Sequence, residues 1–244
     1  HRDLHSFPTR RSSDLNPSSN GKMVEADTNN DETGLPEVIR NLFRSRSYWI
    51  LMVYGTLLSM TFWVIYAWLP TYFKDAFNLS LGAAGVSATA FLQVASFIGV
   101  IVGGIIADRW SRKHIKGRIF VPAIGYIIGG PFLFLMASTG IFGLAIACIV
   151  IFGLAKGFHD ANYMPVICQV VDKRYQATGY GLLTFFGVVA GGIMIYIGGA
   201  MRDANISLSL VFLICAISVL ISGLLLLAIR PKSDGIHDPD NQQK

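Results

Sequence analysis

Six long apolar stretches, roughly 48–73, 83–107, 119–137, 141–171, 180–200 and 208–229, are separated by short polar segments. A bilayer core takes about 20 apolar helical residues to cross, so each stretch predicts one transmembrane helix. The expected fold is an all-α membrane protein with a six-helix bundle over 48–230 and a short tail over 231–244. Ahead of the bundle, Leu35, Ile39, Leu42 and Phe43 alternate at helical spacing with Arg40, Arg44 and Arg46, which predicts an amphipathic segment over 37–47 at the membrane surface. Residues 16–36 are rich in Asn, Ser, Asp, Glu and Gly and predict a linker too polar to bury itself. Residues 1–15 have neither an initiator Met nor an apolar h-region. They resemble translated sequencing-adapter DNA and are expected to be an artefactual tail, with the polypeptide proper beginning upstream of Asn16.

Sliding the chain by 95 positions aligns Pro70 with Pro165, Ala95 with Ala190, Gly103 with Gly198, Gly104 with Gly199 and Asp108 with Asp203, without a gap. Each copy holds three spans. An odd number of crossings makes the second copy enter from the opposite side, so the six spans are expected to form two inverted three-helix repeats.

Composition agrees with lipid as the main solvent: 52% of residues are hydrophobic and 14% charged. A net charge of +5 raises nucleic acid as a partner, but the basic residues sit at span ends and not in a stripe on a soluble domain, so no nucleic-acid partner is expected. They report topology. Arg40, Arg44, Arg46, Arg109, Arg112, Lys113, Lys116, Arg118, Lys173, Arg174, Arg230 and Lys232 fall on one side, and Lys74 and Arg202 on the other. Twelve against two predicts an integral protein of the plasma (inner) membrane with both termini cytoplasmic. Cys148, Cys168 and Cys215 have no metal-ligand spacing. No phosphate loop or nucleophile with its base stands out, so neither an enzyme, a metal site nor a cofactor is expected. Asn78-Leu79-Ser80 and Asn205-Ile206-Ser207 fit glycosylation acceptors in outer loops.

Candidate chemistry concentrates in the fourth span, where Lys156, His159, Asp160, Asn162 and Tyr163 interrupt an apolar run. A charge at mid-membrane costs roughly 2.5 to 3.5 kcal/mol on insertion scales and therefore faces a cavity or a partner. Helical spacing places Lys156 beside His159 and Asp160, and His159 beside Tyr163. One reading gives Lys156 the attraction of an anionic solute, with Asp160 or His159 exchanging a coupling proton. The other is a Lys156 to Asp160 pair that satisfies itself between packed helices. Gln93 in the second span and Tyr54, Trp63 and Tyr66 in the first are further candidates for the cavity wall.

The run Gly104-Ile-Ile-Ala-Asp108-Arg109-Trp-Ser-Arg112-Lys113 resembles the cytoplasmic loop motif of the major facilitator superfamily, a Gly followed by Asp-Arg and a basic pair. Trp68-Leu-Pro-Thr-Tyr-Phe73 and Ala177-Thr-Gly-Tyr-Gly181 are similar to members that carry organic anions and sugar-like solutes. The resemblance implies half of a twelve-helix fold, the carboxy-terminal half, with the amino-terminal half of the same polypeptide as its partner beside the lipid bilayer and a small-molecule solute. It implies secondary transport of a small anionic organic solute by alternating access with proton coupling. It also implies a gating role for Gly104, Asp108, Arg109, Arg112 and Lys113, with Asp108 pairing to Arg112 and to a neighbouring helix N-terminus. A self-contained six-span protein, working as a homo-oligomeric channel or scaffold, is the alternative.

Overall fold

The computed structural model describes residues 35–229. The tail and linker expected over 1–34, and the segment from Arg230 onward, lie outside the described residues. Seven α-helices follow in order: α1 (Leu35–Arg44), α2 (Arg46–Phe77), α3 (Leu81–Ser111), α4 (Gly117–Ser138), α5 (Phe142–Val170), α6 (Gln176–Asp203) and α7 (Leu208–Leu227), with a 3-10 turn (Lys173–Tyr175) before α6. Helices α2 to α7 are long and apolar enough to cross a bilayer. Each coincides with a span read from the sequence, but several run a turn past its apolar stretch, because a helix can continue into the interfacial layer where its carbonyls meet water.

Local chemistry sets the breaks. Glu37 in the first turn of α1 and Arg44 in the last suit the helix dipole, and Val38 and Leu42 are buried against the bundle. Ser45 then opens α2, its hydroxyl accepting from the Tyr48 amide at 3.4 Å. The α2–α3 and α6–α7 connections share one design. An Asn with positive φ (Asn78 at 51°, Asn205 at 59°) ends or follows the first helix, one residue intervenes, and a Ser caps the next. Ser80 accepts from the Ala83 amide and Ser207 from the Ser209 amide, both at 3.2 Å. In the α3–α4 connection Gly117 is held so close that a Cβ would lie 2.5 Å from the Ser111 amide nitrogen.

Helix pairing carries the repeat. The principal packed pairs are α3 with α5, α2 with α6, α4 with α5, α2 with α7, and α4 with α7. Exchanging α2, α3 and α4 for α5, α6 and α7 returns the same set. The aligned prolines Pro70 and Pro165 both lie inside helices, and the aligned glycines do the same work: Gly103 faces the ring of Phe158, and Gly198 the indole of Trp68. The copies depart from symmetry at α2–α3, which pack more extensively than α5–α6.

With lipid on both sides there is little hydrophobic drive between helices, and close packing holds them together. It is closest where α3 crosses α5. A Cβ on Gly99 would meet the Leu154 carbonyl, one on Gly157 the Ser96 carbonyl, and one on Gly153 the Leu92 carbonyl, so backbone lies on backbone. Elsewhere large side chains fill the interior, among them Tyr48, Tyr54, Phe73, Tyr126, Phe152 and Phe212. Helices α3 and α6 are the least enclosed spans, and their outward side chains, such as Phe97, Phe185 and Tyr196, are apolar or aromatic.

Candidate functional site: a polar cluster in mid-membrane

The polar residues of α5 sit halfway along a 29-residue helix, where the crossing with α3 leaves no room for a side chain at Gly99, Gly153 or Gly157. Lys156 is consequently pressed against Ser96 of α3, to whose hydroxyl it donates at 3.3 Å, and it is ion-paired with Asp160 one turn on. The Ser96 hydroxyl is itself 3.3 Å from Asp160 Oδ2. The three side chains form a closed triangle. Within it the ammonium is the inner member, with 11% of the side chain exposed, and the carboxylate the outer one, with 35%. The Phe62 ring of α2 lies 5.4 Å from Lys156 Nζ and adds a cation–π contact.

His159 turns the other way. Consecutive helical residues diverge by about 100°, so His159 and Asp160, both expected beside Lys156, turn to different partners. His159 Nδ1 is hydrogen-bonded to the Tyr54 hydroxyl, and the ring packs at 4.8 Å from Tyr163, 5.5 Å from Tyr126 and 6.0 Å from Phe62. Phe62 thus lies between the Lys156 triangle and the His159 cluster. A cavity of about 270 Å³ between α2, α5 and α6 is lined by Phe62, Trp63, His159, Tyr163, Tyr180 and Thr184 among others.

Other residues singled out in the sequence take various places. Tyr66 donates to Gln93 at 3.3 Å, bridging α2 and α3. Asn162 is buried, with its amide donating to the Phe158 carbonyl of its own helix at 2.9 Å, so it does not join the cluster. Trp63 lines the cavity and packs against Gly191 of α6. Ser96, Phe62, Tyr126 and Tyr180 escaped the sequence reading. A hydroxyl in the middle of the apolar α3 run was the available signal for Ser96, but its partner across the crossing was not legible.

At the α3–α4 loop the expected Asp108 to Arg112 pair is corrected: Asp108 accepts from Arg118 Nη2 at 2.8 Å. Helix α3 ends at Ser111 and leaves Arg112 at its cap, while the tight seat of Gly117 against Trp110 and Ser111 brings the first turn of α4 beside Asp108. Arg109, Arg112 and Lys113 are exposed and form no ion pair among the described residues. Gly104 approaches only Ala161 of α5, at ordinary contact distance. On the opposite membrane face Arg202 of α6 pairs with Asp75 of α2 at 3.1 Å. No group of His, Cys, Asp and Glu side chains suited to a metal ion occurs among the described residues.

Three likenesses to known proteins bear on this arrangement. The chain is 27% identical over 187 residues to a protein named "Probable L-galactonate transporter" from Escherichia coli (strain K12), covering 72% of this chain and 39% of that protein. It is 24% identical over 183 residues to a voltage-gated purine nucleotide uniporter from Rattus norvegicus, covering 73% and 40%. The crystal structure of a bacterial homolog to the human lysosomal transporter Spinster, inward-facing and unoccupied, superimposes with a TM-score of 0.53 at 15% identity, covering 81% of this chain and 49% of that one. That likeness is one of fold. The chain spans about two fifths of the length of the two sequence relatives. A profile of the Major Facilitator Superfamily matches residues 4–194 and again 117–243. With that match over most of its length and, among the described residues, six helices long and apolar enough to cross a membrane and paired as an inverted repeat, the chain is an integral membrane protein that belongs to the Major Facilitator Superfamily.

Proposed function

We propose that this chain is the carboxy-terminal half of a secondary active transporter that moves a small anionic organic solute by alternating access, coupled to protons. The observation that carries the reading is the triangle of Lys156, Asp160 and Ser96 beside an aromatic-lined cavity. A buried cation held by an acid on its exposed side is an anion site with its own occupant in place. Protonating Asp160 releases the Lys156 ammonium, and a solute carboxylate then takes the position Asp160 has left. Deprotonation reverses the exchange. Proton and anion therefore enter together, which is the stoichiometric logic of a symporter. His159, tied to Tyr54, is a second candidate for the coupling proton. The relatives' names include a sugar acid and a nucleotide, both anionic, which supports the class of solute.

In this reading the basic loops face the cytoplasm and the membrane is the plasma (inner) membrane, as the asymmetry of Lys and Arg supports. The amino-terminal half of the same polypeptide closes the other side of the cavity, and Asp108, Arg109, Arg112 and Lys113 with Gly104 belong to the cytoplasmic gate. Uptake of labelled galactonate and related sugar acids by proteoliposomes of the full-length polypeptide tests the proposal. Lys156→Ala is expected to abolish uptake. Asp160→Asn is expected to keep solute exchange while losing accumulation driven by a proton gradient. Full, gradient-driven uptake by both variants sinks it in favour of a structural ion pair.

A further inference from the structure

A cavity of about 580 Å³ opens at the membrane face that carries the basic loops, where the start of α2, the start of α4 and the end of α7 meet. Its lining is Arg46, Ser47, Ile50, Lys116, Leu227 and Ala228. Among the described residues no carboxylate lines it, and neither Arg46 nor Lys116 has an ion-pair partner. The positive N-terminal ends of α2 and α4 add to the two side-chain cations, since Arg46 is the first residue of α2 and Lys116 immediately precedes α4. Below this basic rim the wall turns apolar at Ile50, Leu227 and Ala228. Trp49, half exposed one turn along α2, marks the headgroup layer.

The internal repeat supplies a control. At the aligned register Arg46 corresponds to Ile141 and Lys116 to Val211, so the equivalent positions at the starts of α5 and α7 are apolar. Helix packing alone does not call for the cations. Two positive side chains over an apolar wall, at the depth where headgroups lie, match an amphiphile with an anionic head.

We propose that this pocket binds the phosphate headgroup of an anionic phospholipid from the leaflet facing the basic loops. Arg46 and Lys116 hold the phosphate, and the first acyl segments run down past Ile50 and Leu227. A basic pocket between transmembrane helices is the usual form of such a site. The site is separate from the transport cluster: it rests on α2, α4 and α7 and uses no residue of the Lys156 triangle.

Native mass spectrometry of the full 244-residue chain, released from detergent with added phosphatidylglycerol, phosphatidylcholine or inorganic phosphate, tests it. Phosphatidylglycerol is expected to stay bound in preference to phosphatidylcholine, and inorganic phosphate to leave it in place. Arg46→Ala and Lys116→Ala should each weaken retention about fivefold, the effect of one basic residue at an anionic surface. The pair Arg112→Ala and Lys113→Ala, exposed in the same loop outside the pocket, should retain lipid as the unaltered chain does. Equal retention of the two lipids, unchanged retention in Arg46→Ala and Lys116→Ala, or an equal loss in the loop control overturns the proposal. Displacement by inorganic phosphate overturns the lipid as the source of the anion. Lys116→Gln, the milder change, gives the same reading should either alanine variant fail to fold.

Discussion

Two tyrosines near His159 separate a working hydroxyl from an idle one. Tyr54 is hydrogen-bonded to the imidazole, whereas the equally buried hydroxyl of Tyr126 has no partner among the described residues. Removing a hydroxyl that has a partner inside a membrane protein costs about 0.6 kcal/mol on average, and removing one without costs little. Tyr54→Phe should therefore lower the thermal midpoint of the detergent-solubilised chain, and Tyr126→Phe should leave it unchanged or slightly raised. A drop of equal size in both would mean that the Tyr126 hydroxyl is not idle and contributes as much as that of Tyr54. Single residues also show where the sequence stops being informative. That Lys156, His159 and Asp160 were unusual followed from the energetics of charge in lipid. That they divide between two partners, Ser96 on one side and Tyr54 on the other, depends on how α2 and α3 are rotated about their own axes, which no periodicity along α5 records.

At the scale of elements, all six spans were legible because each needs its own run of about 20 apolar residues. The turns were legible only in retrospect. Asn78-Leu79-Ser80 and Asn205-Ile206-Ser207 fit the pattern of glycan acceptors, but their residue types serve the backbone: Asn tolerates the left-handed conformation and Ser caps the helix that follows. Asn78→Gly should be neutral, Asn78→Val should cost about 1 to 2 kcal/mol through its positive φ, and Ser80→Ala about 1 kcal/mol through its lost cap. Chemical-denaturation midpoints in mixed micelles would check the order. Helix crossings offer a sharper contrast. Gly157→Leu drives a side chain into the Ser96 carbonyl and should abolish the folded, monodisperse species on size exclusion, whereas Gly192→Leu, with nothing within 4 Å of its Cβ position, should elute unchanged.

For the whole molecule, the two membrane faces differ in charge, and orientation should follow from that asymmetry. In a Cys168→Ala background, Lys113→Cys is expected to react with a membrane-impermeant maleimide only after the cells are opened, and Lys74→Cys in intact cells. The reverse pattern would overturn the assignment of the basic face to the cytoplasm. The repeat makes the two halves of the bundle equivalent in pairing, but the α3–α5 crossing is tighter than its α2–α6 counterpart. At α2–α6 the aromatic Trp63 and Trp68 separate the backbones, while at α3–α5 glycines let them touch. Bare backbone surfaces in contact neither slide nor tilt without collision, so α3 and α5 form a single stiff lever. The Lys156 triangle straddles that lever and rides on it at constant geometry. In the transport cycle proposed above, what opens the triangle is then chemical, a proton or an arriving anion, and the flexing falls to the aromatic-padded joint between α2 and α6.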